Sequence, residues 1–245
     1  MYTPGIGSSA SSSAKMETAF GDTEVVEAKR THLATMVWLH GLGDNSTSWI
    51  GYLHLMDANT KFICPTAPFR RTKLLEGDYS TSWFDVQNFS KDESVEELDA
   101  VAERVSNILA KEPSGIRLGI GGFSMGAAVS LYSATCFING VFANGKQYPI
   151  KLNEIVSLSG WIPCSRFVHK NTIGIHEVER RAASLRILLC HDREDMIVPF
   201  EHSQEVARRL IGFGADVTIC NYTEHGHHPD FSEKGPGYVK RWLME

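Results

Sequence analysis

The chain has 245 residues, a formal net charge of -5 with histidine neutral, 42% hydrophobic and 22% charged residues. That length fits one large α/β domain better than two average ones, and the acidic balance removes the electrostatic case for a nucleic-acid partner. No run approaches the ~18 consecutive apolar residues that a transmembrane helix needs.

Residues 1–23 open as a Ser-, Ala- and Gly-rich stretch without a basic n-region or an apolar h-region. They are expected to form a disordered tail without a secretory signal, ahead of a single domain over 24–245. Tyr2 departs from the myristoylation signal, and the terminal Arg241-Trp242-Leu243-Met244-Glu245 is no prenylation box. Five cysteines (Cys64, Cys136, Cys164, Cys190 and Cys220) are scattered and lie mostly in apolar runs. They read as buried thiols in a reducing compartment, which predicts a cytoplasmic protein without a disulfide framework.

The first apolar run, Leu33 to Leu39, predicts a buried strand that leads into His40-Gly41-Leu42-Gly43-Asp44-Asn45. Glycines after a strand free the backbone to turn and present N–H groups. Ser46, Thr47 or Ser48 would then cap a helix over Trp49 to Asp57. Phe62 to Cys64 reads as the next strand, stopped by Pro65 and Pro68. From Ala67 to Asp92 no period holds, and Tyr79, Trp83, Phe84 and Phe89 mix with charges such as the Arg70-Arg71 pair. Large aromatic rings argue against plain disorder, so 67–92 reads as an ordered lid-like excursion over the sheet edge.

Ser94 sits ahead of a clear amphipathic helix, in which Val95, Leu98, Val101, Ala102, Val105, Ile108 and Leu109 recur at three and four until Pro113 and Gly115. The run Ile116 to Ile120 is then a buried strand, and Ala127, Ala128, Val129 and Ser130 begin a helix. Between them Gly122-Phe123-Ser124-Met125-Gly126 matches G-x-S-x-G, the turn on which a nucleophilic serine stands when its flanks carry almost no side chain. The glycine cluster Gly119, Gly121 and Gly122 also invites a dinucleotide fingerprint, but the third glycine of that motif would fall at Ser124. Phe137 to Pro149 reads as a connector with two Asn-Gly pairs, and Glu154 to Ser159 as a strand. Ser165 to Glu177 reads as a polar loop and Leu185 to Cys190 as a strand; Val198 to Phe213 follows as a helix, with Pro199 able to begin it. Asp216 to Tyr222 is the last strand and Tyr238 to Met244 the closing helix. The alternation predicts a mostly parallel sheet with helices on both faces.

In such a sheet the loops leaving the C-terminal strand ends share one crevice. There the chain offers His40 and Asp44, then Ser124, then His191, Asp192, Glu194 and Asp195, and finally Glu224, His225, His227 and His228. A serine, an acid and a histidine in that order form the arrangement of an acyl-transfer triad. By composition alone the acid stays open among Asp192, Glu194 and Asp195, and the base among His225, His227 and His228. Zinc is disfavoured, because Glu224-His225-Gly226-His227-His228-Pro229-Asp230 matches no zinc signature and its glycine and proline oppose a rigid two-ligand helix.

These blocks resemble the acyl-protein thioesterase and small carboxylesterase family, the lysophospholipase-like branch of the α/β-hydrolases. The resemblance rests on His40-Gly41-Leu42-Gly43-Asp44, Cys64-Pro65-Thr66-Ala67-Pro68, Ser82-Trp83-Phe84-Asp85 and the serine motif. It continues through Leu158-Ser159-Gly160-Trp161-Ile162-Pro163, Cys190 to Pro199, and Tyr222 with Gly226-His227. It implies an α/β-hydrolase fold with Ser124 as nucleophile, Asp195 as acid and His227 as base, and with the N–H groups of Leu42 and Met125 as oxyanion hole. No cofactor and no metal are implied. Candidates for the substrate channel are Leu74, Leu75, Trp83, Phe84, Trp161 and Ile162, while Trp38 reads as core and Trp49 as helix packing.

The expected activity is hydrolysis of acyl thioesters or carboxylic esters through an acyl-enzyme, foremost protein depalmitoylation. A small-molecule carboxylesterase or lysophospholipase, and an impaired hydrolase-fold binding protein, are the alternatives. Expected partners are S-acylated proteins or small acyl esters, with transient contact at a membrane surface, a weak homodimer and no nucleic acid. The sequence departs from the family pattern in several places. Met125 replaces the usual glutamine, Asp192 a frequent glycine, and Ser80-Thr81 a frequent Met-Pro. Glu224 stands where the histidine loop usually has glycine, and His225 and His228 flank the base.

Overall fold

The structure, a computed structural model, describes residues 19–87, 93–163, 173–223, 226–228 and 234–245. Most of the expected tail, Phe89, Asp92, Cys164, Glu224 and His225 lie outside the described residues.

Among the described residues the centre is a seven-stranded sheet. In chain order its strands are β1 (Thr23–Val26), β2 (Ala34–Leu39), β3 (Thr60–Pro65), β6 (Arg117–Phe123), β7 (Glu154–Leu158), β8 (Arg186–Asp192) and β9 (Asp216–Tyr222). They lie in the order β1-β3-β2-β6-β7-β8-β9, and every pairing except the antiparallel β1–β3 is parallel. The short strand β1 is absent from the sequence expectation. With three of its four residues exposed, it has no alternating pattern to betray it.

Successive side chains point to opposite faces, so the sheet divides two apolar cores. Val37, Leu39, Ile120, Ile155, Ile187 and Leu189 belong to one, and Met36, Trp38, Phe62, Val156, Leu158 and Leu188 to the other. The first core is covered by α2 (Val95–Leu109), α3 (Met125–Asn139), α4 (Ile175–Ala183) and α5 (Glu201–Gly212). The second is covered by the one-turn α1 (Ile50–Leu53) and by α6 (Lys234–Met244). Helices on both faces of a mostly parallel sheet agree with the expectation.

Several boundaries move. The helix expected over Trp49 to Asp57 is a 3₁₀ turn, Thr47–Trp49, followed by α1, and no side chain caps it. Asn45 instead accepts the Thr47 N–H with its side chain at 2.9 Å, which favours a turn over a capped helix. α4 lies partly inside the stretch read as polar loop: only Val178 and Ala182 of its nine residues are buried, too sparse a stripe to stand out. α5 starts at Glu201, after Pro199. α3 continues to Asn139, into the expected connector, and ends on Gly140 at φ +74. α2 begins as expected, with the Ser94 side chain accepting the Glu97 N–H at 3.3 Å.

The 67–87 excursion is ordered. It forms an antiparallel ribbon of β4 (Phe69–Arg71) and β5 (Tyr79–Thr81), linked by a 3₁₀ turn at Lys73–Leu75.

The register that positions the site is β2 against β6, where Leu39 pairs with Gly122. A Cβ on Gly122 would stand 2.6 Å from the Leu39 carbonyl oxygen, and one on Gly126 would collide with the same carbonyl. All fifteen residues of α3 are buried, so the helix has no room to retreat. Gly126→Ala is therefore expected to lower unfolding stability by at least about 2 kcal/mol, through overpacking. Urea unfolding beside the parent protein checks it.

Candidate active site

The turn from β6 into α3 puts Ser124 at φ 52 and ψ -117, a costly conformation for a residue with a Cβ. Its N–H donates to the Leu158 carbonyl at 2.8 Å, and its own carbonyl accepts the Ala128 N–H at 3.0 Å, so both neighbours hold the strained residue.

His227 lies opposite. Its Nε2 is 2.9 Å from Ser124 Oγ, and its Nδ1 is 2.8 Å from Asp195 Oδ2. A carboxylate accepts only, so Nδ1 carries the proton and Nε2 is left to accept from the serine hydroxyl. Asp195 comes from the loop after β8 and its side chain is fully buried. Its other oxygen accepts the N–H groups of Ile197 at 2.9 Å and Val198 at 2.8 Å. His191 Nε2 stands 3.3 Å from Asp195 Oδ2 and 2.8 Å from the Val198 carbonyl. Burial alone would push the Asp195 carboxyl up, but the hydrogen bonds from His191, His227 and the Val198 amide outweigh it and hold the group well below the usual carboxylate range.

The other titratable candidates have different tasks. Asp192 is buried and spends one oxygen on the Glu194 N–H at 2.7 Å and the other on the Gly226 N–H at 3.0 Å. It thus ties the acid loop to the histidine loop, from an extended position that closes β8 and needs no glycine. The Glu194 amide is used in that tie, and exposed His228 sits at the cavity mouth. His40 is buried: Ala67 N–H donates to its Nε2 at 2.9 Å, which leaves Nδ1–H to donate to the Gly41 carbonyl at 2.6 Å. Burial lowers its pKa, and the imidazole serves as a neutral post for the loop after β2.

Ser124 and His227 open into a cavity of about 580 Å³. Leu42 and Met125 line it, as do Leu74 and Trp161 among the channel candidates. Leu75, Trp83, Phe84 and Ile162 are not part of the lining, which corrects those four. Trp83 and Phe84 are wholly buried, and Trp83 Nε1 donates to the His40 carbonyl at 2.8 Å, so it is a strut under the loop and not a wall. In their place stand Trp49, Val86, Phe123 and Ile197. Trp49 was expected only to pack its helix, whereas its indole N–H donates to Asp44 Oδ2 at 3.0 Å beside the cavity. Ile197 left no signal in the sequence, because it stands in the apolar run Met196 to Phe200 and only the structure shows it exposed beside Met196. Among the described residues no cluster of His, Cys, Asp and Glu is arranged to hold a metal ion.

The sequence model of the phospholipase/carboxylesterase family matches residues 20–233. The chain belongs to this family. Acyl-protein thioesterase 2 of Zea mays superposes with a TM-score of 0.86 at 44% identity, covering 91% of this chain and 98% of that one. Acyl-protein thioesterase 1 of Gibberella zeae is 30% identical, over 89% of this chain and 94% of its own length. Acyl-protein thioesterase 1 homolog 1 of Dictyostelium discoideum is 27% identical, over 81% and 84% respectively. The fold is thus the α/β-hydrolase fold, and the protein is a serine hydrolase of the phospholipase/carboxylesterase family.

The buried Asp195 generates a prediction with two readouts. Asp195→Asn lets an amide N–H face His227 Nδ1, reverses the imidazole tautomer and lowers kcat by about four orders of magnitude. The Asp195 pKa in the fold lies below the ~3.9 of an unfolded aspartate, so its contribution to stability is complete above about pH 5, begins to fall as pH drops below the unfolded value and is lost as pH falls on through the folded one. The Asn variant loses that part of the slope, and urea midpoints compared at about pH 6 and about pH 3 measure it.

Proposed function

We propose that this protein is an acyl-ester hydrolase that removes acyl chains from thioesters, foremost S-acylated cysteines of proteins, and from carboxylic esters. The observation that carries the reading is the unbroken relay Ser124 Oγ, His227 and Asp195 at 2.9 and 2.8 Å, opening on an apolar-walled cavity of a size usual for small-ligand sites. The relatives named acyl-protein thioesterase, among them the maize protein at 44% identity, support the choice of substrate class.

In this reading Ser124 Oγ attacks the substrate carbonyl carbon while its proton passes to His227 Nε2. Asp195 holds the imidazole and balances the charge it acquires. The carbonyl oxygen becomes an oxyanion that accepts from the N–H groups of Leu42 and Met125, each worth about 3 kcal/mol in the transition state. As a first residue of α3, Met125 has an N–H without a partner inside the helix, which suits that task. Collapse breaks the carbon–sulfur or carbon–oxygen bond, and His227 returns the proton to the leaving thiol or alcohol. Water then adds to acyl-Ser124 and gives a proton to His227. Collapse releases the carboxylic acid and restores the serine hydroxyl.

The acyl chain would lie against Leu74, Val86, Phe123 and Trp161, gaining about 0.8 kcal/mol per buried methylene. The ribbon suits transient membrane contact and weak self-association, since it carries the stacked and exposed pair Phe69 and Tyr79. Cytoplasmic placement belongs to the same reading, supported by the free thiols of Cys64, Cys136, Cys190 and Cys220. No described helix is long and apolar enough to cross a membrane.

A fluorophosphonate should add once to the intact protein, as read by mass, and not to a Ser124→Ala variant. A palmitoyl-thioester peptide should then turn over with a higher kcat/KM than a short-chain ester. The reverse order would make the enzyme a small-ester carboxylesterase. Absence of an adduct on folded protein would overturn the hydrolase mechanism in favour of a binding protein.

A further inference from the structure

The loop that leaves β2 carries Leu42 to the cavity. Within the loop region the Asp44 N–H donates to the Gly41 carbonyl at 3.3 Å and the Trp49 indole to the Asp44 side chain, and two further tethers lie on another element. On the near side His40 fixes the Gly41 carbonyl at 2.6 Å. The two residues directly after Leu42 are both fastened to Thr81, the last residue of β5. Gly43 N–H donates to the Thr81 carbonyl at 3.0 Å, and Thr81 Oγ1 donates to the Asp44 carbonyl at 2.6 Å. Burial offers this loop little else: Gly43 is exposed, Leu42 and Asp44 are half-buried, and Gly43 at φ +79 has the freedom of a residue without a side chain. Where apolar contacts are few, a handful of polar links decides how often a segment leaves its position.

We propose that Thr81 is a positioning residue for the oxyanion hole: its hydroxyl and carbonyl clamp the loop on the far side of Leu42, so that the seating of the β4–β5 ribbon sets the aim of the Leu42 N–H. The inference rests on the reading of Leu42 as an oxyanion donor given above. It explains a departure noted in the sequence, since the proline frequent at this place in the family has no hydroxyl to give Asp44. It also assigns the ribbon a part in turnover. Leu74, in the turn of the same ribbon, lines the cavity, so an acyl chain pressing on Leu74 loads the element that holds the loop.

A donor displaced by a fraction of an ångström loses transition-state stabilisation and leaves ground-state binding almost untouched. Thr81→Val removes the hydroxyl at nearly constant volume, and Thr81→Ser keeps it. On the palmitoyl-thioester peptide the Val variant is expected to lose about tenfold in kcat, with KM within about twofold, while Ser restores the parent kcat. A trifluoromethyl ketone, whose adduct with the serine places an oxyanion in the same site, should bind the Val variant weaker by a similar factor. A plain alkyl chain such as hexadecane, which can fill the apolar cavity but offers no oxygen to the N–H groups, should bind both alike.

Equal kcat and equal ketone affinity in parent and Val variant would overturn the proposal, as would a Ser variant as impaired as Val. Thermal unfolding accompanies each variant; if Val does not fold, Thr81→Ala against Thr81→Ser carries the same comparison. Failure of the underlying reading looks different, because the parent protein itself would then take no fluorophosphonate and turn over no ester.

Discussion

Ser124 is held in a backbone conformation that a residue with a side chain avoids, and the surrounding structure exists to sustain it. Two glycines let α3 approach β2 until only the Leu39 carbonyl separates them. The buried helix α3 blocks relaxation on one side, and the hydrogen bond from Ser124 N–H to the Leu158 carbonyl blocks it on the other. Strain of this kind persists only where packing over-determines it. The result is a hydroxyl raised above the C-terminal edge of the sheet with the first amides of a helix beside it.

The partners of the serine come from loops, and loops have little packing of their own. Here buried polar side chains replace it. Asp192 joins the acid loop to the histidine loop, His40 seats the loop after β2, and His191 contacts the same Asp195 oxygen that faces His227. Each of these groups sits at or just beyond the end of a strand, where the sheet fixes its backbone, and each spends at least one polar atom on a main-chain group or on Asp195. A site assembled this way stays rigid at the reacting atoms while the cavity walls, drawn from several separate segments, remain free to vary.

Sequence patterns give the sheet order of events well, because buried parallel strands are short apolar runs with glycines at their ends. They miss β1 and α4 for a common reason: both bury too few side chains to leave a period. Chemistry is legible at Ser124 through the crowding that forces glycines around it. The choice of Asp195 over Asp192 and Glu194 is not, since three carboxylates within four residues differ only in which direction the turn sends them. The resemblance supplied that choice; in the structure Asp195 stands 2.8 Å from His227 Nδ1. His40 and Trp83 look like site residues because they stand in glycine-rich or aromatic loops, yet each donates a hydrogen bond that holds the loop from beneath. Trp49, by contrast, reads as a packing residue and reaches the cavity, because a 3₁₀ turn in place of a longer helix leaves its indole beside Asp44.

The proposed hydrolysis requires a covalent acyl-serine formed within this relay. Acid quenching during turnover of a slowly hydrolysed acyl ester, followed by peptide mass mapping, tests that most directly. One acyl group is expected, located on the peptide that contains Ser124 and disappearing as product forms. Turnover without any acyl-protein, or with the acyl group mapped to another residue such as Cys220, would contradict it.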